Sequence, residues 1–268
     1  MTFPPSPETL LEQAASLGIL GDLLRSELER ARRIPAMAPP RSRPLAGMGP
    51  FEAALRQAPL PVIAEFKRGS PSLGPFAAGA DIGERLAGYA RGGAAACSIL
   101  AEPARFLGQP EDFALARACG LPLLYKGFVC TEAHLDEAAA LGAQAVLLIT
   151  RILGEHLAGF AGAARARGLE PLVEVHGPEE IPQAQAAAAR MVGWNARDLA
   201  DFSVRKAPAA LLRAAFPEAL LVRESGIRSA EDARAALREG FDALLIGEAL
   251  MRSPAPSAFL ERIRQEQP

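Results

Sequence analysis

Lysine is scarce in this chain: among its 29 basic residues only Lys67, Lys126 and Lys206 are lysine, the rest arginine. The difference is chemical, because an amine can be desolvated until it exchanges protons near neutrality, whereas a guanidinium stays charged at any useful pH. Lys67 lies in the run AEFKRGSPS two residues after Glu65, and residues two apart on an extended chain share a face. Lys126 closes the run LPLLYK. Glu174 in LVEVHG, Asn195 and Arg197 in GWNARDL, Glu224 in RESGI and Glu248 in LLIGEAL likewise stand where apolar runs end. One such residue alone is commonly a turn or rim group. Several brought to one place must perturb one another's proton affinities, a property of acid–base sites.

Glycines add a second clue. Gly226 in ESGI and Gly247 in IGEAL, with Ser225 beside the first, could surround an anion with backbone N–H groups, or could simply permit tight turns. His134, His156 and His176 show no H-E-x-x-H or similar spacing, so no metal site is expected. Lys206, near a helix start, reads as surface charge, and Trp194 as core packing.

To converge, these groups need a repeating scaffold. From Pro61 to Ile246, short apolar runs alternate with Ala-, Leu- and Arg-rich stretches of helical period. The runs are VIAEF from Val62, AACSIL from Ala95, LPLLYK from Leu121, AVLLI from Ala145, PLVEV from Pro171, RMVGW from Arg190, ALLVR from Ala219 and ALLIG from Ala243. Their spacing of roughly 20 to 35 residues is the pitch of a strand–helix unit, and their near-continuous hydrophobicity suits strands buried on both faces of a parallel sheet. Glycines in ARACGLP, ALGAQA, ARGLEP and REGFDA could end the preceding helix in a left-handed turn. The pattern predicts a (β/α)8 TIM barrel over residues 61–268, preceded by an N-terminal helical extension, residues 1–60, that packs on it to make one structural domain overall. An open doubly wound sheet is the competing architecture, although no G-x-G-x-x-G opens a helix after the first strand. Within the extension, a helix is expected over residues 7–33, with Leu10, Leu11, Leu17, Leu20, Leu23 and Leu24 as its apolar stripe. A Pro-rich connection and a short helix over residues 51–57 should follow. In a barrel, the strand ends named above meet at one mouth.

Composition narrows the partners. Half the residues are hydrophobic and the formal charge is −2, which supports a full core and gives no ground for nucleic acid or anionic membrane as a partner. Cys97, Cys119 and Cys130 form no C-x-x-C pair, and reduced thiols are expected. The opening MTFPPSPETL lacks a basic stretch followed by an apolar one, and no run approaches ~18 uninterrupted apolar residues. A soluble, cytoplasmic protein is the expectation.

The motifs in order, IAEFKRGSPS, CSILAEPARFLGQ, LPLLYKGFV, LVEVH, GWNARDL, RESGI and LLIGEALM, resemble the indole-3-glycerol phosphate synthase family from about Gly49 to Met251. The resemblance implies ring closure, decarboxylation and dehydration of 1-(o-carboxyphenylamino)-1-deoxyribulose 5-phosphate, with no cofactor and no metal. It implies Lys126 as general acid for condensation with Glu174 as its partner or base. Lys67 would meet the anionic substrate and serve in dehydration, with Glu65 as the associated acid or base. Asn195, Arg197 and Glu224 would orient substrate hydroxyls and the lysines. Ser225, Gly226, Gly247 and Glu248 would bind phosphate, Phe106 and Phe128 would enclose the aromatic ring, and Ser70 would lie on the first loop.

Four positions depart from the family pattern. Gly127 replaces an aspartate, Ala101 a threonine, Tyr125 an arginine and Arg223 a small residue. Loss of an acid next to Lys126 is expected to alter that lysine's position or proton affinity. The departures leave open a divergent paralogue acting on a related phosphorylated substrate, or a catalytically weakened barrel that binds an anionic metabolite or partner protein.

Overall fold

The computed structural model describes residues 3–14, 19–35, 44–70, 74–197 and 208–265. Eight parallel strands close into a barrel: β1 (Val62–Phe66), β2 (Ala96–Leu100), β3 (Leu123–Lys126), β4 (Ala145–Ile149), β5 (Glu170–Val175), β6 (Met191–Asn195), β7 (Leu220–Glu224) and β8 (Ala243–Ile246). Each pairs with its neighbours in sequence, and the ring closes where Val62 to Ala64 of β1 meet Leu244 to Ile246 of β8. That closure decides against the open sheet. The strands lie within two residues of the apolar runs because both faces are covered, one by the barrel interior and the other by helices. No polar face interrupts the pattern.

The left-handed turns expected before strands are present at Gly120, Gly142, Gly168 and Gly240, with φ of 75°, 82°, 76° and 103°. Helix starts are capped locally. Asp81 accepts from the Glu84 N–H ahead of the helix Ile82–Arg91, and Ser229 and Asp232 exchange reciprocal bonds at the start of Ala230–Arg238. No described helix is long and apolar enough to cross a membrane.

The expected helix over 7–33 is two helices, α1 (Pro7–Ala14) and α2 (Ile19–Ala31). Residues 15–18, including Leu17, lie outside those described, as does Lys206. Leu10, Leu20, Leu23 and Leu24 are buried in the continuous core. The next helix, α3 (Pro50–Gln57), starts one residue earlier than expected because proline suits the first helical position. Its free N–H groups are satisfied from β5: the Glu170 carboxylate accepts from Gly49 at 3.2 Å, Phe51 at 2.6 Å and Glu52 at 2.9 Å. Gly49 leaves room for this, since a Cβ there would stand 2.5 Å from the Glu170 carboxyl carbon.

A second tie runs from α2 to the outer face of β3. Arg30 donates to both Glu137 oxygens at 2.9 Å and to the Tyr125 hydroxyl at 3.0 Å. Tyr125 in turn donates to Glu137 at 2.5 Å. The α2 helix is therefore bonded to the residue that precedes Lys126.

Candidate active site

Alternation along the strands turns one residue in two into the barrel, and at the strand ends those inward residues are polar. Glu65, Lys67, Lys126, Glu174, Asn195 and Glu224 border a single cavity of about 560 Å³. Ser70, Phe106, Phe128 and Arg197 border the same cavity, as do Ser225, Gly226, Gly247 and Glu248 on the β7–β8 side. Sequence reasoning thus brought together residues that the fold also brings together, on or just after seven of the eight strands.

Two charge clusters organise the floor. Lys67 Nζ is 2.8 Å from Glu65 Oε1. Lys126 Nζ is 2.9 Å from Glu224 Oε2 and 3.4 Å from Glu174 Oε2. Glycines on adjoining strands make room for the acids. A Cβ on Gly193 would overlap Glu224 Oε1, and one on Gly247 would overlap Glu65 Oε1. Gly247, expected at an anion seat, therefore also clears space for a carboxylate. Tyr89 backs the first cluster by donating to the Glu65 carbonyl at 3.2 Å.

The electrostatics are asymmetric. Burial opposes the Lys126 charge, but Glu224, Glu174 and Glu65 outweigh it and hold its proton affinity above the ordinary lysine value. This corrects the expectation that burial would bring the amine toward neutrality: surrounding carboxylates dominate, and Lys126 is a firmly held ammonium. Burial also pushes both acids up, yet Lys126 and His176 hold Glu174 well below the usual carboxylate range. For Glu224 burial wins, with Glu174 adding to it against Lys126, and the group titrates at about 8. Two like acids beside one cation have been driven apart.

Several positioning residues carried no sequence signal that singled them out. Glu102, fully buried, accepts from the N–H groups of Ala104, Arg105 and Phe106 at 2.9, 2.7 and 2.9 Å, fixing the loop after β2. That loop brings Phe106 to Phe128, ring centroids 6.1 Å apart. Arg68 grips Asp112 through both nitrogens, at 2.5 and 2.7 Å, and so ties the loop after β1 to the helix Pro110–Arg117. His176, Glu180 and Arg151 flank Glu174 from the far side. A carboxylate two to four residues before the N–H groups it binds, as Glu102 is, was the one cue available in sequence.

The departures fall together. A Cβ on Gly127 would lie 3.0 Å from Tyr125 Cε1 and 3.4 Å from the Ala101 Cβ. Three of the four unusual residues thus form one packing unit around the Tyr125 ring, which stacks on Phe113 at 5.5 Å on the outer side of β3. Lys126 takes its acidic partners from β5 and β7 instead. Arg223 sits with its guanidinium 5.9 Å from the Phe241 ring centroid, on the outer side of β7.

Comparison with known proteins gives a consistent result. The family model described as indole-3-glycerol phosphate synthase matches residues 27–263. The chain is 42% identical over 252 residues to indole-3-glycerol phosphate synthase 2 of Streptomyces coelicolor, covering 91% of this chain and 98% of that protein. It is 43% identical over 204 residues to indole-3-glycerol phosphate synthase of Carboxydothermus hydrogenoformans, covering 75% of this chain and 77% of that protein. Among solved structures, a 3-hexulose-6-phosphate synthase superposes with a TM-score of 0.57 at 18% identity, over 76% of this chain and 98% of the other, a likeness of fold alone. With the matched segment running from α2 through the last barrel helix and taking in every strand, the chain belongs to the indole-3-glycerol phosphate synthase family.

Proposed function

We propose that this protein is an indole-3-glycerol phosphate synthase, a carboxy-lyase that converts 1-(o-carboxyphenylamino)-1-deoxyribulose 5-phosphate into indole-3-glycerol phosphate, carbon dioxide and water. The observation that carries this reading is Lys126 Nζ set between the Glu174 and Glu224 carboxyl groups, in the cavity that also holds the Glu65–Lys67 pair. In condensation, the aryl carbon bearing the carboxylate attacks the sugar ketone, and Lys126 gives its proton to the carbonyl oxygen as that oxygen becomes a hydroxyl. Loss of carbon dioxide returns its bonding electrons to the ring. Glu224, still protonated near neutrality, can reload Lys126.

Dehydration needs an acid for the departing hydroxyl and a base for the proton lost from the adjoining carbon. The Lys67–Glu65 pair supplies both in this reading. Phe106 and Phe128 would flank the aromatic ring, Asn195 and Arg197 would orient sugar hydroxyls, and Ser70 would close from the first loop. The phosphate would lie toward Ser225, Gly226, Gly247 and Glu248, where Arg228, Arg252 and Arg262 also border the cavity and balance the Glu248 charge. The three cysteines are unpaired, in keeping with a reducing cytoplasm as the site of reaction.

Steady-state indole fluorescence from the carboxyphenylamino substrate tests the assignment. Wild-type protein should turn over, and Lys126→Arg should lose about 100-fold or more in kcat, the scale of general acid catalysis. Well-folded wild-type protein that makes no indole product would remove the assignment, and an unchanged rate in Lys126→Arg would remove the role given to the lysine.

A further inference from the structure

His176 lies one turn of the strand beyond Glu174 and has no part in the chemistry described so far. Its side chain is 2% exposed, yet it is surrounded by charge. On β5, Glu174 Oε1 is 3.2 Å from its Nε2. From the turn Pro178–Glu180, Glu180 Oε2 is 3.7 Å from its Nδ1 and accepts from its backbone N–H at 2.9 Å. Behind Glu180 stands Arg151 of the helix Thr150–Leu153, which donates to it at 2.8 Å and lies 3.8 Å from Glu179. In front of Glu174 stands Lys126 of β3, and beyond it Glu224 of β7. The row alternates in sign from rim to floor through Arg151, Glu180, His176, Glu174 and Lys126, and ends at the Glu224 carboxyl group.

We propose that His176 is a positioning residue that decides which of the two carboxyl groups beside Lys126 carries the proton, keeping Glu174 ionised and aimed at the lysine and leaving the proton on Glu224. The inference rests on the function proposed above and deepens it. Glu174 faces two cations, Lys126 and His176. Glu224 faces Lys126 alone, and its Oε1 has no hydrogen-bond partner among the described residues. Both carboxyl groups lie against the one Lys126 ammonium, and like charges set so close favour a proton on one of them. A cation on one side settles which. Burial works against charge on His176, but Glu174 and Glu180 raise it to about 9, so it stays cationic at neutrality. The arrangement gives one site a base and an acid from two identical side chains.

Two measurements test this, one with substrate and one without. The pH profile of kcat is compared for wild type, His176→Gln and Glu180→Gln. Activity that needs ionised Glu174 is lost as pH falls through its depressed value. Removing the His176 charge raises that value, so the acidic limb should move up by about one pH unit or more. The proton would then be shared between the two acids, and kcat should fall about tenfold or more while KM stays within about threefold. Glu180→Gln, which leaves the histidine in place but weakens its charge, should act in the same direction and less strongly, and reads the same limb if His176→Gln does not fold.

In protein without substrate, carboxyl-carbon NMR should find one protonated glutamate at neutral pH, absent from Glu224→Gln. In the His176 or Glu180 variant its proton should spread onto Glu174. An unmoved acidic limb together with an unmoved proton overturns the proposal, whereas a lower melting temperature alone, as a merely structural role would give, also counts against it. If wild type makes no product, the functional reading fails, and the substrate-free titration still decides the role of His176.

Discussion

Adding one methyl group at Gly193 should disable the site without touching any ionisable residue. Gly193 lies on β6 beside the Glu224 carboxylate, and a Cβ there would overlap Glu224 Oε1. To reach ordinary contact the carboxyl group must retreat by more than ~1 Å. The backbone of β6 is held on both sides, paired with Glu174 of β5 and Val222 of β7, so the acid and not the strand has to move. Opening the Lys126–Glu224 contact from 2.9 Å to about 4 Å breaks a hydrogen bond from a charged donor, worth about 1.5 to 3 kcal/mol. A displacement of that size near reacting groups costs about 100-fold in rate. Gly193→Ala should therefore lower kcat by about two orders of magnitude, with KM changed far less because no group proposed to bind the phosphate or the ring is moved. The assay is initial-rate indole fluorescence on protein whose melting curve stays cooperative. A kcat within twofold of wild type would refute the claim that Glu224 depends on the space this glycine leaves.

Three other outcomes follow from the same geometry. His176 is raised to about 9 and Glu224 to about 8, so each contributes stability that is full below its unfolded-state value and is lost as pH rises through its folded value. The melting temperature should accordingly fall between about pH 5 and 9, and more steeply above about pH 6.5 than in His176→Gln when followed by scanning calorimetry. Ser225 holds φ of 61°, a left-handed conformation that costs a non-glycine residue about 1 kcal/mol, so Ser225→Gly should raise the melting temperature by a few degrees while weakening substrate binding if its hydroxyl meets the phosphate. Glu170→Ala removes the acceptor for three N–H groups of α3 and should destabilise the protein by about 2 to 3 kcal/mol in urea titration, with kcat per folded molecule unchanged.

Strand positions were legible in the sequence because barrel strands are covered on both faces, and apolar runs of four to six residues have no other use at that spacing. Convergence of the polar groups followed from parity: Glu65 and Lys67 two apart, and each acid at the C-terminal end of its run. Relations between strands were hidden. Nothing at Gly193 or Gly247 announces that a carboxylate from the next strand fills the place of the missing side chain, since that depends on register. His176 was dismissed as a ligand because the histidines show no metal-binding spacing; Glu174 stands two residues before it, while Glu180 meets it only through the turn that follows β5. The break between α1 and α2 was also hidden, because the leucine periodicity runs across it. Gly127 looked like a missing acid for Lys126. The structure places Gly127 at the border of the cavity and also against Tyr125 and Ala101, the nearest neighbours an added Cβ would meet.

The bond from Arg30 to Tyr125 bears on how the chain can be shortened. A version trimmed to begin after α2 would keep every strand and every group bordering the cavity, yet would strand the Glu137 carboxylate and the Tyr125 hydroxyl in the gap the arginine had filled. The phenol sits one peptide unit from Lys126, so that loss would fall on the strand that carries the lysine, and a minimal barrel built for engineering should keep Arg30.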